Sequence, residues 1–366
     1  MSTKARVIAL YLPQFHPTPE NDKYWGKGFT EWTNVAKAKP LFKGHYQPRI
    51  PADLGFYDLR LPIIRNKQAE LAKAAGIEGF MYWHYWFGNG KMTLEKPAEE
   101  MLASGEPDYP FCFGWANHDW SNKTWKKSKS FQKDEMIFEM KYSDEDTIAH
   151  FNYCLPFFKD KRYITVDGKP LFVIWAAKDI PDVKNFLKIW RDLARENGLK
   201  GIHFVALRYG SDKEEEFLNM GFDAINNVNL KEAEDLALQN ILLKKIRSAF
   251  VRMTGGVVLR KFKYANIAKN LCNKELDSKE YVYPSIISGY DRSARAGRLA
   301  TIYYDFTPTT FEPHVKEIVN VVKNKDDEHK IIFLKSWNEW AEGNYVEPDL
   351  KYGHGFLDVL RKYLVE

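Results

Sequence analysis

The chain has 366 residues, of which 45% are hydrophobic and 15% aromatic, and it carries a formal net charge of +5 at pH 7. This length can bury the core of one barrel-sized domain or of two ordinary ones, and the mild charge permits an anionic partner without requiring one. Three widely spaced cysteines, Cys112, Cys154 and Cys272, argue against a disulfide scaffold and fit a reducing compartment.

The N-terminus predicts neither export nor membrane insertion. Its apolar run from Val7 to Leu12 is too short for the core of a signal peptide and is followed by proline, glutamine and histidine. No segment approaches the length of an apolar transmembrane helix. We therefore expect a cytoplasmic protein.

Short apolar segments alternate with helical segments along the chain. The predicted strands are residues 6–15, 77–87, 109–117, 169–177, 201–209, 222–229, 282–290 and 329–337. The predicted helices are residues 62–76, about 94–103, 143–160, 181–198, 213–221 and 307–325, with Ser143 as an N-cap and Gly198 as a C-terminal stop. Eight near-continuously apolar strands separated by helices are typical of a buried parallel sheet.

Closure into a (β/α)8 TIM barrel is the simplest arrangement of eight such strands. An open, doubly wound sheet is the alternative, but no glycine-rich phosphate-binding turn follows the first strand. The sequence contains no internal repeat or low-complexity tract, and we predict one domain over residues 1–366.

Two predicted loops are long, residues 16–60 after strand 1 and residues 231–280 after strand 6. Both follow a strand, so both belong to the barrel face on which active sites lie. The second loop contains a basic, amphipathic segment at residues 243–263 that could touch an anionic membrane surface. A solvated helical excursion that covers the barrel mouth is the alternative interpretation.

Three glutamates crowd the segment SWNEWAEGNYVEPD, residues 336–349, just beyond the eighth strand. Glu339 and Glu342 are three residues apart, and in a turn or helix such positions have β-carbons roughly 5–6 Å apart. Cleavage of a glycosidic bond needs a protonated and an ionised carboxyl at about this separation. The same spacing is common on solvated helices, but Gly343 and Pro348 indicate a shaped loop. Neighbouring Trp337 and Trp340 would raise the pKa of one carboxyl by desolvation.

Polar and aromatic side chains follow several other predicted strands. These residues are Tyr11, Gln14 and His16 after strand 1, His84, Tyr85 and Trp86 after strand 2, Trp115, Asn117, His118 and Asp119 after strand 3, and Tyr290 and Asp291 after strand 7. Glu31 and Trp32 in the first long loop, and Trp337, Asn338 and Glu347 beside the glutamate pair, complete the candidate site. Each one alone could be a core aromatic or a helix cap. Together they suit a neutral, polyhydroxylated ligand, because sugar hydroxyls need many hydrogen bonds and sugar rings stack on aromatic faces.

At these residues the sequence resembles a known family. The motifs LYLPQFHPTPENDKYWGKGFTEWTNV, HYQPRIPADLGFYDLR, GFMYWHYWF, FGWAN and WNEWAEGNYVEPD resemble the WbsX family of glycoside hydrolase family 99-like proteins, which are often tied to O-antigen and other surface-polysaccharide biosynthesis. The resemblance implies a (β/α)8 barrel and a retaining, endo-acting α-mannosidase-like activity that uses no metal and no cofactor.

The resemblance also implies catalytic roles for the glutamate pair. Glu339 would act as a base on the 2-hydroxyl of the substrate, which attacks C1 to give a 1,2-anhydro sugar, and Glu342 would be the general acid/base. Two motifs depart from the family pattern. His118 in WANHDW stands where relatives usually carry an acid, and GYDRSAR keeps Asp291 in altered surroundings.

We weigh a glycoside hydrolase against a glycosyltransferase for the same glycan and against a non-catalytic glycan-binding barrel. The one D-x-D sequence, residues 144–146, lies at a predicted helix start, where acids favour the helix dipole. No glycine-rich nucleotide cradle is present. Nucleic acid is not an expected partner, because basic residues do not interleave with the aromatic strand ends. The expected partner is an oligosaccharide or a lipid-linked glycan at the inner membrane face.

Overall fold

Eight parallel strands form the centre of the computed structural model, which describes residues 3–121, 135–238 and 258–365 together with residues 246, 249, 250 and 253. The strands are β1 (Arg6–Tyr11), β2 (Gly79–Gly88), β3 (Phe111–Trp115), β4 (Lys169–Ile174), β5 (His203–Tyr209), β6 (Ala224–Val228), β7 (Val282–Ile287) and β8 (Ile331–Lys335). Each strand pairs in parallel with the next one along the chain, and β8 pairs with β1. The predicted (β/α)8 barrel is confirmed.

Helices surround the barrel and cover its mouth. They are α1 (Pro19–Trp25), α2 (Glu31–Lys37), α3 (Pro62–Ala74), α4 (Lys96–Ser104), α5 (Asp144–Phe158), α6 (Val183–Glu196), α7 (Glu214–Met220), α8 (Leu230–Leu238), α9 (Tyr264–Ala268), α10 (Lys274–Asp277), α11 (Ser293–Ala296), α12 (Pro308–Val322) and α13 (Gly355–Leu364). Short strands lie at Lys91–Thr93, Trp120–Ser121, Met136–Phe138, Thr165–Val166, Arg260–Lys263, Thr301–Tyr304, Asn338–Glu339 and Asn344–Tyr345. Three-residue 3₁₀ helices lie at Ala177–Asp179, Gly297–Leu299 and Trp340–Glu342.

The barrel strands are apolar because helices cover their outer faces while side chains fill the barrel. All ten residues of β2 are buried, for example. The observed strands are shorter than the predicted ones, and proline accounts for part of the difference. Pro13 follows β1 and Pro110 precedes β3, and a residue without an N–H group cannot donate to a sheet ladder.

The helix signals in the sequence mark real ends. Ser143 caps α5, since its hydroxyl accepts a hydrogen bond from the Asp146 amide at 3.1 Å. The acidic D-x-D sequence therefore opens a helix, as predicted. Its carboxylates serve the fold: Asp146 accepts from the Trp86 indole at 3.1 Å, and Asp144 accepts from the Asn185 amide at 2.9 Å.

Both long predicted loops contain secondary structure. The first forms α1 and α2 and then crosses to the last loop of the chain, where the Ala52 amide donates to the Pro348 carbonyl at 2.9 Å. The second contains α8, α9, α10 and the strand Arg260–Lys263, which pairs in parallel with Thr301–Tyr304. Most of the basic segment 243–263 lies outside the described residues. Within the described part of the chain, no helix has the length and apolarity needed to span a membrane.

Candidate active site

A cavity of about 500 Å³ opens at the carboxyl end of the barrel. Each of the eight strands contributes a lining residue at or just after its end. The lining residues are Leu10, Leu12, Gln14, Trp25, Trp83, Tyr85, Ala116, His118, Trp120, Ser121, Trp175, Tyr209, Leu230, Tyr290, Arg292, Arg295, Lys335, Ser336, Glu339 and Glu342. The volume and the mixture of aromatic faces with a few charged groups are typical of a site for a small molecule or part of a larger chain.

A tight hairpin after β8 carries the two glutamates of the cavity. Strand Asn338–Glu339 pairs antiparallel with Asn344–Tyr345, and the 3₁₀ turn Trp340–Glu342 joins them. Gly343 closes the turn at φ 57°, and a β-carbon there would lie 2.8 Å from the β-carbon of Asp291. The Ser336 hydroxyl accepts from the Glu339 amide at 3.0 Å and fixes the start of the turn. This turn geometry brings both carboxylates to the same side.

One guanidinium, that of Arg295 on α11, holds the carboxylates together. Its Nη1 donates to Glu342 Oε1 at 2.6 Å and its Nη2 to Glu339 Oε2 at 3.0 Å. Behind it, Nε donates at 2.9 Å to Glu31 Oε1, which also accepts from Nη2. Glu31 is fully buried on α2, whereas the side chains of Glu339 and Glu342 are 13% and 15% exposed. The buried acid anchors the arginine, and the arginine positions the pair.

The two cavity glutamates have opposite pKa shifts. Burial, opposed by Arg295 and reinforced by Glu342, raises the pKa of Glu339 to about 7. Burial also acts on Glu342, but the positive charges of Arg295, Arg292 and Lys335 outweigh it and lower the pKa of that carboxyl. At neutral pH, Glu342 is the ionised member of the pair and Glu339 is the member that holds a proton more readily. This order is the reverse of the one that the family resemblance implies.

Aromatic rings form the opposite wall of the cavity. Trp83 and Trp175 pack edge to face with centroids 5.2 Å apart, and Tyr209 lies 5.4 Å from Trp175. The Lys335 ammonium lies 5.8 Å from the centre of the Trp175 ring. His118 sits at the mouth, 5.9 Å from Trp175, where desolvation lowers its pKa and favours the neutral imidazole.

Six of the nineteen predicted site residues line the cavity, namely Gln14, Tyr85, His118, Tyr290, Glu339 and Glu342. The others do not line it, namely Tyr11, His16, Glu31, Trp32, His84, Trp86, Trp115, Asn117, Asp119, Asp291, Trp337, Asn338 and Glu347. The alternation of side chains along a strand explains part of this division. On β2, Trp83 and Tyr85 face the cavity, while His84 and Trp86 contact His150 and Asp146 of α5.

The residues behind the wall hold the lining elements in place. The Asn117 side chain pairs with both backbone groups of Ala176, at 2.8 and 2.9 Å. Trp115 and Trp32 donate their indole N–H groups to backbone carbonyls at 2.8 Å. Asn338 accepts from the Leu12 amide at 2.7 Å and donates to the carbonyl of the same residue at 3.1 Å. Trp337, whose side chain is fully buried, donates its backbone amide to Leu10 at 2.8 Å. These bonds join the strand ends, α2 and the loops around the cavity to one another.

Three buried acidic or aromatic residues of the predicted site have their own networks. Asp291 accepts from the Gln47 amide and lies beside His45, each at 2.9 Å, and the contact with His45 and the charge of Arg49 hold its pKa well below the usual range despite burial. Glu347 accepts hydrogen bonds from Tyr57, Gln68 and Trp340. Tyr11 donates to Gln68 at 2.7 Å.

Sequence reasoning missed the basic residues of the cavity and most of its aromatic residues, namely Trp25, Trp83, Trp120, Trp175 and Tyr209. Arg292 and Arg295 lie in the motif GYDRSAR, of which only Tyr290 and Asp291 were predicted to belong to the site. Trp83 could have been found from strand alternation on β2, since it has the same parity as Tyr85. Lys335 ends β8 directly before the glutamate segment, and nothing in the sequence separates it from a solvated lysine.

Among the described residues, one buried group has the composition of a metal site. The ligand-type atoms of His84, His150 and Cys154 lie within 4.8 Å of one another. The two Nε2 atoms are 2.9 Å apart, which is a hydrogen bond between neutral imidazoles, and burial lowers the pKa of both rings. The group lies between β2 and α5 and does not line the cavity.

Comparisons with known proteins agree with this architecture. Residues 7–360 match the family model described as "Glycosyltransferase WbsX". Two proteins named WxcX from Xanthomonas campestris pv. campestris, strains B100 and ATCC 33913, are 33% and 32% identical to the chain over 362 residues. These matches cover 98% of the chain and 50% of each relative, so the chain spans about half the length of the relatives it matches.

Solved structures share the fold at low sequence identity. The GH99 endo-alpha-mannosidase from Bacteroides thetaiotaomicron superposes with a TM-score of 0.58 and 14% identity, covering 99% of this chain and 96% of the other. A "Glycoside hydrolase-like protein" gives a TM-score of 0.63 and 13% identity, covering 99% and 94%. At these identities the similarity shows the common barrel.

Proposed function

The chain belongs to the WbsX family, and from this premise we propose that it is a retaining glycoside hydrolase-like enzyme. Its proposed substrate is an α-linked, mannose-type residue of a bacterial surface glycan. The observation that carries the proposal is the convergence of Glu339 and Glu342 on the cavity through one shared arginine. Buried carboxyl pairs with divergent pKa values are typical of sites that perform acid and base chemistry at the same time.

The chemistry requires both carboxyls. In the proposed route, an ionised glutamate takes the proton of the 2-hydroxyl while O2 bonds to C1 and the glycosidic bond breaks. The second glutamate gives its proton to the departing oxygen. Water then adds at C1, the anhydro ring opens and configuration is retained. Arg295 keeps both carboxyls in place and offsets the negative charge between steps.

The aromatic wall supports a sugar ligand. Trp83, Trp175 and Tyr209 offer ring faces for the C–H side of a pyranose, and Gln14, Tyr85 and His118 offer neutral polar groups for hydroxyls. A lipid-linked oligosaccharide at the inner membrane face is a proposed natural form of this substrate. Contact of the basic segment 243–263 with that membrane is part of the same proposal, and charge reversal of its lysines tests it by loss of vesicle binding.

A glycosyltransferase is the second candidate, and the description of the matching family favours it. A transferase that uses a metal-bound nucleotide sugar would need a free pair of carboxylates. The D-x-D acids Asp144 and Asp146 are both engaged in hydrogen bonds within the fold. The geometry therefore favours hydrolysis at the glutamate pair.

Incubation with 4-nitrophenyl α-D-mannopyranoside tests the proposal, with Glu339→Gln and Glu342→Gln as variants. We expect each variant to release nitrophenol at least about 100-fold more slowly than the wild type, since general acid–base groups contribute at least this factor. Glu196→Gln, at an exposed glutamate of α6, is the matched control and should cleave at the wild-type rate. Sugar transfer from a nucleotide sugar that survives in both glutamate variants would establish the transferase instead. Binding without turnover would indicate a glycan-binding barrel.

A further inference from the structure

Lys335 is a cation of the cavity that the proposed reaction does not use. It is the last residue of β8, and its ammonium lies 5.8 Å from the centre of the Trp175 ring. Among the described residues, no carboxylate lies within 4.0 Å of it. Burial lowers the pKa of Lys335, but nearby groups, including Glu342 and Glu339, reverse this and raise it. The side chain is therefore charged at neutral pH.

Arg292 is a second cation with spare hydrogen-bonding capacity. Its Nε forms an ion pair with Glu342 Oε1 at 3.3 Å and makes no hydrogen bond to the described residues. The side chain is 38% exposed and lines the cavity. Its guanidinium can therefore donate hydrogen bonds to a ligand while it stays beside Glu342.

The two cations act on the same part of the cavity. Burial raises the pKa of Tyr290 to about 12, and the charges of Arg292 and Lys335 both oppose that rise. Both also lower the pKa of Glu342. Lys335 and Arg292 line the same cavity as Tyr290 and the glutamate pair, so both cations act on the part of the cavity beside that pair.

Three cations, Arg295, Arg292 and Lys335, face three carboxylates, Glu31, Glu339 and Glu342, so one positive charge is in excess whenever Glu339 holds its proton. Arg295 contacts all three carboxylates and Arg292 contacts Glu342, which leaves Lys335 as the cation of this group without an ion pair among the described residues. A neutral glycan needs hydrogen-bond donors, which the cavity's tyrosines and Gln14 already provide. A buried ammonium without an ion pair costs free energy that an anionic ligand would offset.

We propose that Lys335 and Arg292 form a subsite for an anionic group, a carboxylate or a phosphate, that is carried by the glycan in the cavity. The inference rests on the proposed function and sharpens it: the substrate is an acidic glycan, and its negative group lies within one or two sugar units of the bond that breaks. Charge-assisted hydrogen bonds to a carboxylate or phosphate are about twice as strong as those to a hydroxyl.

Calorimetric titration with four probes tests the subsite. The probes are methyl α-D-mannopyranoside, mannuronic acid, mannose 6-phosphate and inorganic phosphate. We expect at least one acidic sugar to bind wild-type protein at least about tenfold more tightly than the neutral mannoside. One charge-assisted hydrogen bond contributes enough free energy for a factor of about ten in affinity. The uronate and phosphate arms distinguish which anion fits. Inorganic phosphate shows whether the anion alone is sufficient.

Substitutions then separate charge from hydrogen bonding. Lys335→Gln and Arg292→Gln keep a donor but remove the charge, and each should reduce the preference at least threefold, with both together abolishing it. Lys335→Arg should retain the preference. Lys188→Gln, at an exposed lysine of α6, is the matched control and should bind as the wild type does. Thermal unfolding establishes that each variant is folded.

Failure of the subsite and failure of the proposed function give different results. Equal wild-type affinity for neutral and acidic sugars, or a preference that survives the double substitution, overturns the subsite. Cleavage of the neutral nitrophenyl mannoside without any anionic preference overturns the subsite and leaves the hydrolase standing. If the wild-type protein shows no hydrolytic activity and the anionic preference persists in Glu339→Gln and Glu342→Gln, the hydrolase proposal is overturned and the subsite stands.

Discussion

The last loop contains two carboxyl environments that differ in what compensates the negative charge. Glu339 and Glu342 line the cavity and share the guanidinium of Arg295. Glu347, only five residues further on, is 1% exposed and is surrounded by neutral donors: Trp340 at 2.6 Å, Gln68 at 2.7 Å and Tyr57 at 2.9 Å. In the first environment a ligand can reach the carboxyl groups, whereas in the second the carboxyl group is enclosed by the protein.

The comparison shows that a raised pKa does not by itself identify a catalytic group. Burial raises the pKa of both Glu339 and Glu347 to about 7. Only Glu339 can reach a ligand, because Glu347 lies behind the wall and ties Trp340 of the turn to α3 and to the first long loop. Glu347 therefore positions the loop, and the three glutamates of residues 336–349 divide into a cavity pair that we propose to be reactive and a buried anchor.

Removal of the shared cation should have the largest effect. Arg295→Met leaves Glu31, Glu339 and Glu342 without their common partner, and loss of one member of a buried ionic network typically costs about 3–5 kcal/mol. We expect the free energy of unfolding in urea to fall by this amount and mannoside cleavage to be lost. Arg60→Met, at an exposed ion pair with Asp58, is the control and should change little. Unchanged stability in Arg295→Met would show that the carboxyls do not depend on the arginine.

The pH dependence of stability should distinguish the anchor from an ordinary surface glutamate. The pKa of Glu347 is about 7 in the folded protein, compared with 4.5 for an unperturbed glutamate such as that of the unfolded chain. Between these two pH values the folded protein therefore binds more protons than the unfolded chain. The stability from this group is complete below about pH 4.5 and is lost as the pH rises through about 7. The loss is at most about 3 kcal/mol.

Glu347→Gln removes this titration. We expect urea unfolding to show that the stability of the wild type, relative to the variant, decreases between pH 5 and pH 8. Glu196→Gln, at an exposed glutamate of α6, is the matched control for the substitution itself. Glu339 also contributes to the wild-type slope, but it is present in both proteins that are compared. A difference that does not vary with pH would contradict the raised pKa of Glu347.

The order of protonation in the reactive pair should appear in kinetics. The charges in the cavity favour the proton on Glu339, so we expect Glu339 to be the acid and the activity to fall as the pH rises above about 7. On 2,4-dinitrophenyl α-D-mannopyranoside, whose leaving group needs no proton, the acid variant should keep at least about 100-fold more activity than the base variant. The charge arrangement predicts that Glu339→Gln is the tolerant variant, whereas the family resemblance predicts Glu342→Gln. One set of rates decides between them.

The fold was predictable because its signals are local and repeated. Alternating apolar strands and helices need only periodicity, and the Ser143 cap and the strand-ending Pro13 act within a few residues. The glutamate pair was found because its spacing and aromatic neighbours are also local. The role of Arg295 was not predictable, because it depends on bringing α2, α11 and the last loop together over separations of 264 and 44 residues. The division between Tyr85 and His84 followed from strand alternation and could have been predicted.

The smallest expected effect concerns one hydroxyl of the anchor. Tyr57 donates to Glu347 at 2.9 Å and accepts from Asn338 at 3.3 Å, so Tyr57→Phe removes a buried donor from the carboxyl and a partner from the residue next to Glu339. We expect a loss of about 1–2 kcal/mol in the free energy of unfolding. Tyr363→Phe is the matched control, because its hydroxyl makes the same type of bond to Glu312 at the surface, and it should change stability little. Equal losses of stability in the two variants would show that the buried hydrogen bond to Glu347 contributes no more than the surface bond to Glu312. The distinction between the anchor and a surface carboxylate would then fail.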